Sequence, residues 1–168
     1  MSISRSITLT TISIIALVVI LLVLQLILYK VKRKGDDQGK LKSSYGVWFV
    51  SLFVAGVINM VKAFTVLSEA IDIIYKTNLT NKVWEVAKTA SLFIGLSAMW
   101  FLIWLYVSNL LSIPILGKRK DQNEIDVNNV SYFLIKGILI IGFIVCLIPA
   151  FETILRNFMP SVQLPFYH

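Results

Sequence analysis

From Ser13 to Tyr29 the chain reads SIIALVVILLVLQLILY, with Gln25 as its one amide and no charged side chain. A helix built from this stretch is apolar all the way round, so it belongs in a large protein core or in lipid. Three further apolar runs follow, and 168 residues cannot bury four such helices from water. The runs lie at about 9–29, 45–64 with a polar continuation to about 75, 89–116 and 130–149. Each approaches the ~20 helical residues that cross a hydrocarbon core of about 30 Å.

A hydrophobic fraction of 57% and a mean hydropathy of +0.81 point the same way. Strands are excluded because barrel strands alternate apolar and polar positions, whereas these runs do not. Helices satisfy their own backbone groups, as lipid demands. The expected fold is therefore an all-α integral membrane protein of four transmembrane helices, a single domain over residues 1–168. The longest polar connection, Lys30 to Ser44, is too short for a core of its own. The first run has only Arg5 ahead of it, lacks a small-x-small cleavage site and is followed by a basic block. It reads as a retained helix.

The charge of +7 is unevenly placed. Lys30, Lys32, Arg33, Lys34, Lys40 and Lys42 occupy the first connection, and Lys118, Arg119 and Lys120 the third. Short basic loops stay on the cytoplasmic side during insertion. Four spans bring both loops to that side, which leaves both termini outside; the Ile-, Lys- and Asn-rich composition suggests a bacterial inner membrane. No aromatic interleaving or reader motif accompanies the basic residues, so nucleic acid is not expected. Anionic inner-leaflet lipids are the expected contact for Lys30, Lys32, Arg33, Lys34, Lys118, Arg119 and Lys120, and a soluble cytoplasmic protein is a second candidate.

The two loops also resemble one another. KRKGDDQ begins at Lys32 and KRKDQNE at Lys118; the same offset places Gly56 on Gly142. A tandem repeat of a two-helix unit, with halves 1–75 and 76–168, would account for this.

Small and polar residues mark helix contacts in lipid. On the second run, Ser51, Ala55, Asn59, Lys62, Glu69 and Asp72 fall on one helical side; on the third, Lys88, Ser91, Gly95, Ala98, Asn109 and Ser112 form a comparable series. The two faces are expected to pack together or to line one cavity. The first run, with only Gln25, is expected at the periphery.

On the fourth run Lys136 is expected to snorkel to headgroups, Gly137 and Gly142 to permit close approach, and Pro149 to bend or end the helix. AFETILRNFM beyond it reads as a short surface helix. Lys62 is expected to pair with Glu85 across the hairpin, or to join Lys88 in a cationic ring at the mouth of an anion pathway. Asp36, Asp37, Asp121, Glu124 and Asp126 are expected to form solvated pairs with neighbouring basic residues.

No catalytic constellation emerges. His168 is the one histidine and Cys146 the one cysteine; the eight glycines form no phosphate loop. No enzyme, metal or cofactor is expected. NLT at Asn78 is a formal glycosylation acceptor only in a eukaryotic secretory pathway. Two functions fit this pattern. One is a homo-oligomeric ion channel or membrane-permeabilising subunit lined by the second and third helices. The other is a non-conducting anchor or sensor whose basic loops dock a soluble partner. They differ in whether Ser51, Asn59 and Asn109 touch water.

Overall fold

A computed structural model describes residues 3–29, 41–77 and 81–160, and every regular element among them is an α-helix. These are α1 (Ile3–Tyr29), α2 (Ser43–Lys76), α3 (Lys82–Leu116), α4 (Asp121–Asp126), α5 (Val130–Cys146) and α6 (Ile148–Arg156). Three are long and apolar enough to cross a membrane, and a fourth crossing results if the bent α5–α6 pair counts as one.

The bend is the first departure from a single helix over 130–149. The α5 and α6 axes meet at 46°. Pro149 has no N–H to offer the carbonyl four residues back, so the ladder breaks beside it and α6 starts afresh with proline in its first turn. At 17 residues, α5 rises only about 26 Å. The second departure is α4, a turn and a half of helix inside the loop read as solvated. Its apolar residue, Ile125, is 1% exposed and joins the core. Between α3 and α4, Gly117 adopts φ +77° and ends α3, a left-handed conformation that glycine tolerates best.

α2 is the central element and touches all five other helices. Its buried side alternates small and large residues: Trp48, Leu52, Ala55, Gly56, Asn59, Met60, Ala63, Val66, Leu67 and Ala70. One apolar cluster lies toward the α3–α4 connection, hereafter the basic end, and joins Leu24, Trp48, Leu52, Phe101, Phe133 and Ile140. The other lies toward the α2–α3 connection, the hairpin end, and joins Ala63, Leu67, Ile71, Phe93, Phe151 and Leu155. α1 buries Ile12, Ala16, Ile20, Leu24 and Leu28, a single stripe at four-residue spacing, and exposes most of its remaining surface. It is a peripheral helix held along one edge.

The tightest helix approach is between α2 and α5. A Cβ at Gly137 would collide with the Ser51 side chain. Around this contact the rings of Trp48 and Phe133 lie 5.7 Å apart. The two glycines related by the 86-residue offset have unlike surroundings. Gly56 is buried with Ile20 3.3 Å from where its Cβ would be, and Gly142 faces open space.

Gly137→Ala should therefore force α2 and α5 apart and destabilise the bundle by about 1–3 kcal/mol, the usual range for overpacking. Gly142→Ala should stay within about 0.5 kcal/mol of the parent protein. Thermal unfolding in detergent micelles compares the two directly.

Candidate functional site

The polar series on α2 finds its partners inside the same chain. Asn59, 2% exposed, donates from Nδ2 to the Ser97 carbonyl at 2.9 Å and to Ser97 Oγ at 2.7 Å. Ala55 is fully buried, and Ser51 donates to the Val47 carbonyl at 2.9 Å while packing on Gly137. Further along, Lys62 Nζ meets Glu152 at 2.6 Å, Glu69 meets Arg156 at 2.8 Å, and Asp72 meets Arg5 at 2.6 Å.

The partner of Lys62 differs from the expected Glu85. Past the 46° bend at Pro149, α6 lies against α2, with Glu152 and Arg156 on the α2 face that carries Lys62 and Glu69. Arg156 also bonds Glu152 at 2.9 Å, so Lys62, Glu152, Arg156 and Glu69 form one alternating chain of charges. Within it the Glu152 carboxyl is held below its ordinary range, chiefly by hydrogen bonding from Lys62 and then from Arg156. The Arg156 guanidinium is pushed up by Glu69 and Glu152.

The series on α3 has a different fate. Lys88, Ser91 and Gly95 are exposed, with nothing near the Gly95 Cβ position; Ala98 and Asn109 are half-buried and Ser112 is buried. The two predicted faces therefore do not pack along their length, although Ala98 borders the same small void as Asn59. α3 turns Val86, Ala90, Phe93, Ser97, Phe101, Leu105 and Ser108 inward instead. Size explains the choice. Phe93 and Phe101 share clusters with Ala63, Ala70 and Ala55 of α2, so large side chains of one helix fill space left by small ones of the other. Trp100 stacks on Phe151 with ring centroids 5.3 Å apart and meets Trp104 at 5.6 Å.

At the basic end lies a group of residues that the sequence pattern had assigned to headgroups and solvent. Lys136 does not snorkel. It is 4% exposed, and its Nζ donates to both oxygens of Asp121 at 2.6 and 2.7 Å. The ammonium sits 5.0 Å from the Trp48 ring centroid and 5.7 Å from that of Tyr132, while Tyr132 OH donates to Asp121 at 2.9 Å. Glu124 is also buried, accepting from Asn129 Nδ2 at 2.6 Å and facing Arg119 at 3.4 Å.

Asp121 and Glu124 are thus structural acids rather than solvated ones. α4 brings them under the bundle because Ile125, next to Glu124, is drawn into the core. The position of Lys136 was readable: Tyr132, Phe133, Lys136, Gly137, Ile140 and Ile144 form one helical stripe, all buried. Its partner, 15 residues away across a turn, has no such periodic signature.

Two more bonds fasten this end. Lys42 Nζ donates to the Asp126 carbonyl at 2.6 Å, and the Ser44 N–H to Asn128 Oδ1 at 2.9 Å. Lys118, Arg119 and Lys120 are exposed on the α3–α4 connection. Lys30, Lys32, Arg33 and Lys34 lie outside the described residues, as do Asn78 and His168. Among the described residues no group of three or more His, Cys, Asp or Glu is placed to hold a metal ion. Near Asn59 and Ser97 there is a void of about 10 Å³, lined by Ile20, Met60 and Phe101. That is at the lower limit for one water.

Breaking the Lys136–Asp121 pair from one side should leave a buried charge unmatched. With Asp121 part-exposed, Asp121→Asn should cost about 2 kcal/mol, less than the 3–5 kcal/mol of a fully buried pair. The double variant Asp121→Asn, Lys136→Met should recover most of the loss in thermal unfolding.

The hairpin-end network has its own pH dependence. Because the folded form lowers the Glu152 pKa from an ordinary value near 4.5, its contribution is present above that value and disappears as pH falls through the lower one. Acidification should loosen the charged contact between α6 and α2 while Phe151 and Leu155 stay packed, read as a small change in fluorescence of Trp100 on Phe151, and Glu152→Gln should diminish that acid phase. Compared with known proteins, the chain matches no protein family, no curated protein and no solved structure, so the geometry alone carries the functional argument.

Proposed function

We propose that this protein is a non-conducting, multi-pass membrane anchor that docks an acidic soluble protein at its basic end. The observation that carries this reading is the engagement of the α2 polar series. Ser51, Asn59, Lys62, Glu69 and Asp72 have intramolecular partners, and Asn59 is dry to within 2% of its surface. A conducting path through one bundle would need those groups facing water.

In the proposed orientation the basic loops face the cytoplasm of a bacterial cell and both termini lie outside, following the bias of Lys and Arg. Lys118, Arg119 and Lys120 stand exposed above α4, two of whose three acids, Asp121 and Glu124, are turned to Lys136, Arg119 and Asn129. That leaves a positive surface on a rigid support. Anionic headgroups supply a favourable background of about 1 kcal/mol per basic residue near the surface.

A second reading, a homo-oligomeric channel, has one observation in its favour. Lys88, Ser91 and Gly95 are exposed on the outer side of α3, where copies assembled around an axis would turn them toward one another. In that arrangement the cationic ring would consist of Lys88 alone, because Lys62 is held by Glu152.

Reconstitution into planar phosphatidylethanolamine/phosphatidylglycerol bilayers separates the two. The anchor reading expects no conductance above protein-free membranes, together with in-cell photocrosslinking from positions 118 and 120 to one soluble protein. Charge reversal of Lys118, Arg119 and Lys120 should abolish that crosslink without removing the chain from the membrane. Reproducible conductance altered by Lys88→Gln would overturn it in favour of the channel.

A further inference from the structure

Along the outer edge of α1 runs a groove of about 510 Å³, within the size range of small-ligand sites. Its walls are α1 from Leu9 to Ile20 and α2 from Val57 to Ser68. Each wall is 11 residues of rise, about 17 Å. Half the hydrocarbon thickness of a bilayer is about 15 Å, so the groove matches one leaflet in length.

Its polarity is graded in the same direction. The deep end, where α1 closes on Gly56 through Ile20, is lined by Ile20, Val57 and Met60. Toward the hairpin end stand the hydroxyls of Ser13, Thr65 and Ser68. Their protons go to the carbonyls of Leu9, Val61 and Thr65, which leaves oxygen lone pairs on the rim. One turn beyond Leu9 on the same side of α1 is Arg5. One terminal nitrogen of its guanidinium donates to Asp72 at 2.6 Å, but Nε is buried without any partner.

We infer that this groove is a binding site for one phospholipid of the hairpin-end leaflet, with an acyl chain between α1 and α2 and the phosphate at Arg5. This rests on the proposed membrane embedding, though not on the docking role. Packing fits the assignment. α1 is the most lightly held of the long helices, and Leu17 and Val61 on the groove wall are 47% and 61% exposed. A chain lying there would be contacted from both helices rather than from one, and the phosphate would pair with the exposed part of the Arg5 guanidinium, whose side chain is 24% exposed beside its Asp72 contact.

The test uses the full-length protein in phosphatidylethanolamine/phosphatidylglycerol vesicles doped with a phospholipid carrying a diazirine on its acyl chain. Flotation first establishes that the protein is in the bilayer; failure to float removes the membrane reading and this site together. In floating protein, crosslinks are expected to concentrate on residues 9–20 and 57–68, above the level on the lipid-facing side of α5. Ser13→Trp, which fills the groove, should remove that excess, whereas Leu22→Trp elsewhere on α1 should keep it.

Arg5→Gln should lower groove labelling about tenfold, the effect of losing about 1.4 kcal/mol of a charge-assisted bond. Asp72→Asn breaks the same ion pair but frees Arg5, and should keep labelling or raise it. Even labelling over all exposed helices would overturn the site. Equal loss in the Arg5 and Asp72 variants would overturn the phosphate assignment, because the tie between helices would then account for both.

Discussion

Polar groups on an apolar helix are tolerable only when each has a partner, and α2 carries more of them than any neighbour can ignore. Asn59 is matched by Ser97 of α3, Lys62 by Glu152 of α6 and Asp72 by Arg5 of α1. Those pairings, as much as apolar packing, decide which helix lies where. Helices gain little from the hydrophobic effect when their surroundings are already apolar, so directional contacts and close small-residue approaches do more of the specifying. The Ser51–Gly137 contact between α2 and α5 is such an approach.

The two ends of the bundle solve the charge problem differently. At the hairpin end, Lys62, Glu152, Arg156 and Glu69 alternate in sign across two helices, largely within reach of solvent. Exposed pairs of this type contribute little each, and the network acts mainly to hold α6 in register with α2. At the basic end, Lys136 is enclosed by Asp121, Tyr132 and Trp48, and its ammonium has lost nearly all contact with water. Removing one partner there is costly, although the pair as a whole need not add stability. It ties α4 to α5 and thereby sets the height of Lys118, Arg119 and Lys120 above the bundle.

Much of the organisation was legible from composition and period. The long apolar runs at 9–29, 45–64 with its polar continuation to 75, and 89–116 correspond to α1, α2 and α3, and Pro149 announced the break that separates α5 from α6. The narrow contact stripe of α1 follows from a run that offers no polar face. What misled was the α3 series from Lys88 to Asn109. Small residues on a helix mark a close approach but do not name the partner, and Phe93 and Phe101 filled the space beside the α2 alanines better. Lys136 was misassigned for a related reason. Distance from a helix end allows snorkelling, but only the fold of α4 reveals that the Asp121 carboxylate stands 2.6 Å from the ammonium.

The sequence by itself determined that the chain forms long helices, where proline breaks one of them, which stretches are strongly apolar, and where the positive charge collects; α1 and α3 begin six and seven residues before the apolar runs that marked them. These are local properties, set by hydrogen bonding within a segment, by proline chemistry and by the burial preference of each side chain. Only the tertiary structure decided that Glu152 rather than Glu85 meets Lys62, that Asp121 meets Lys136, and that α2 is central while the polar side of α3 faces outward. Such pairings depend on angles between helices. A bend of 46° shifts residues four to eight positions past the break by about 5–9 Å, one to two turns of helix, from where a straight segment would place them.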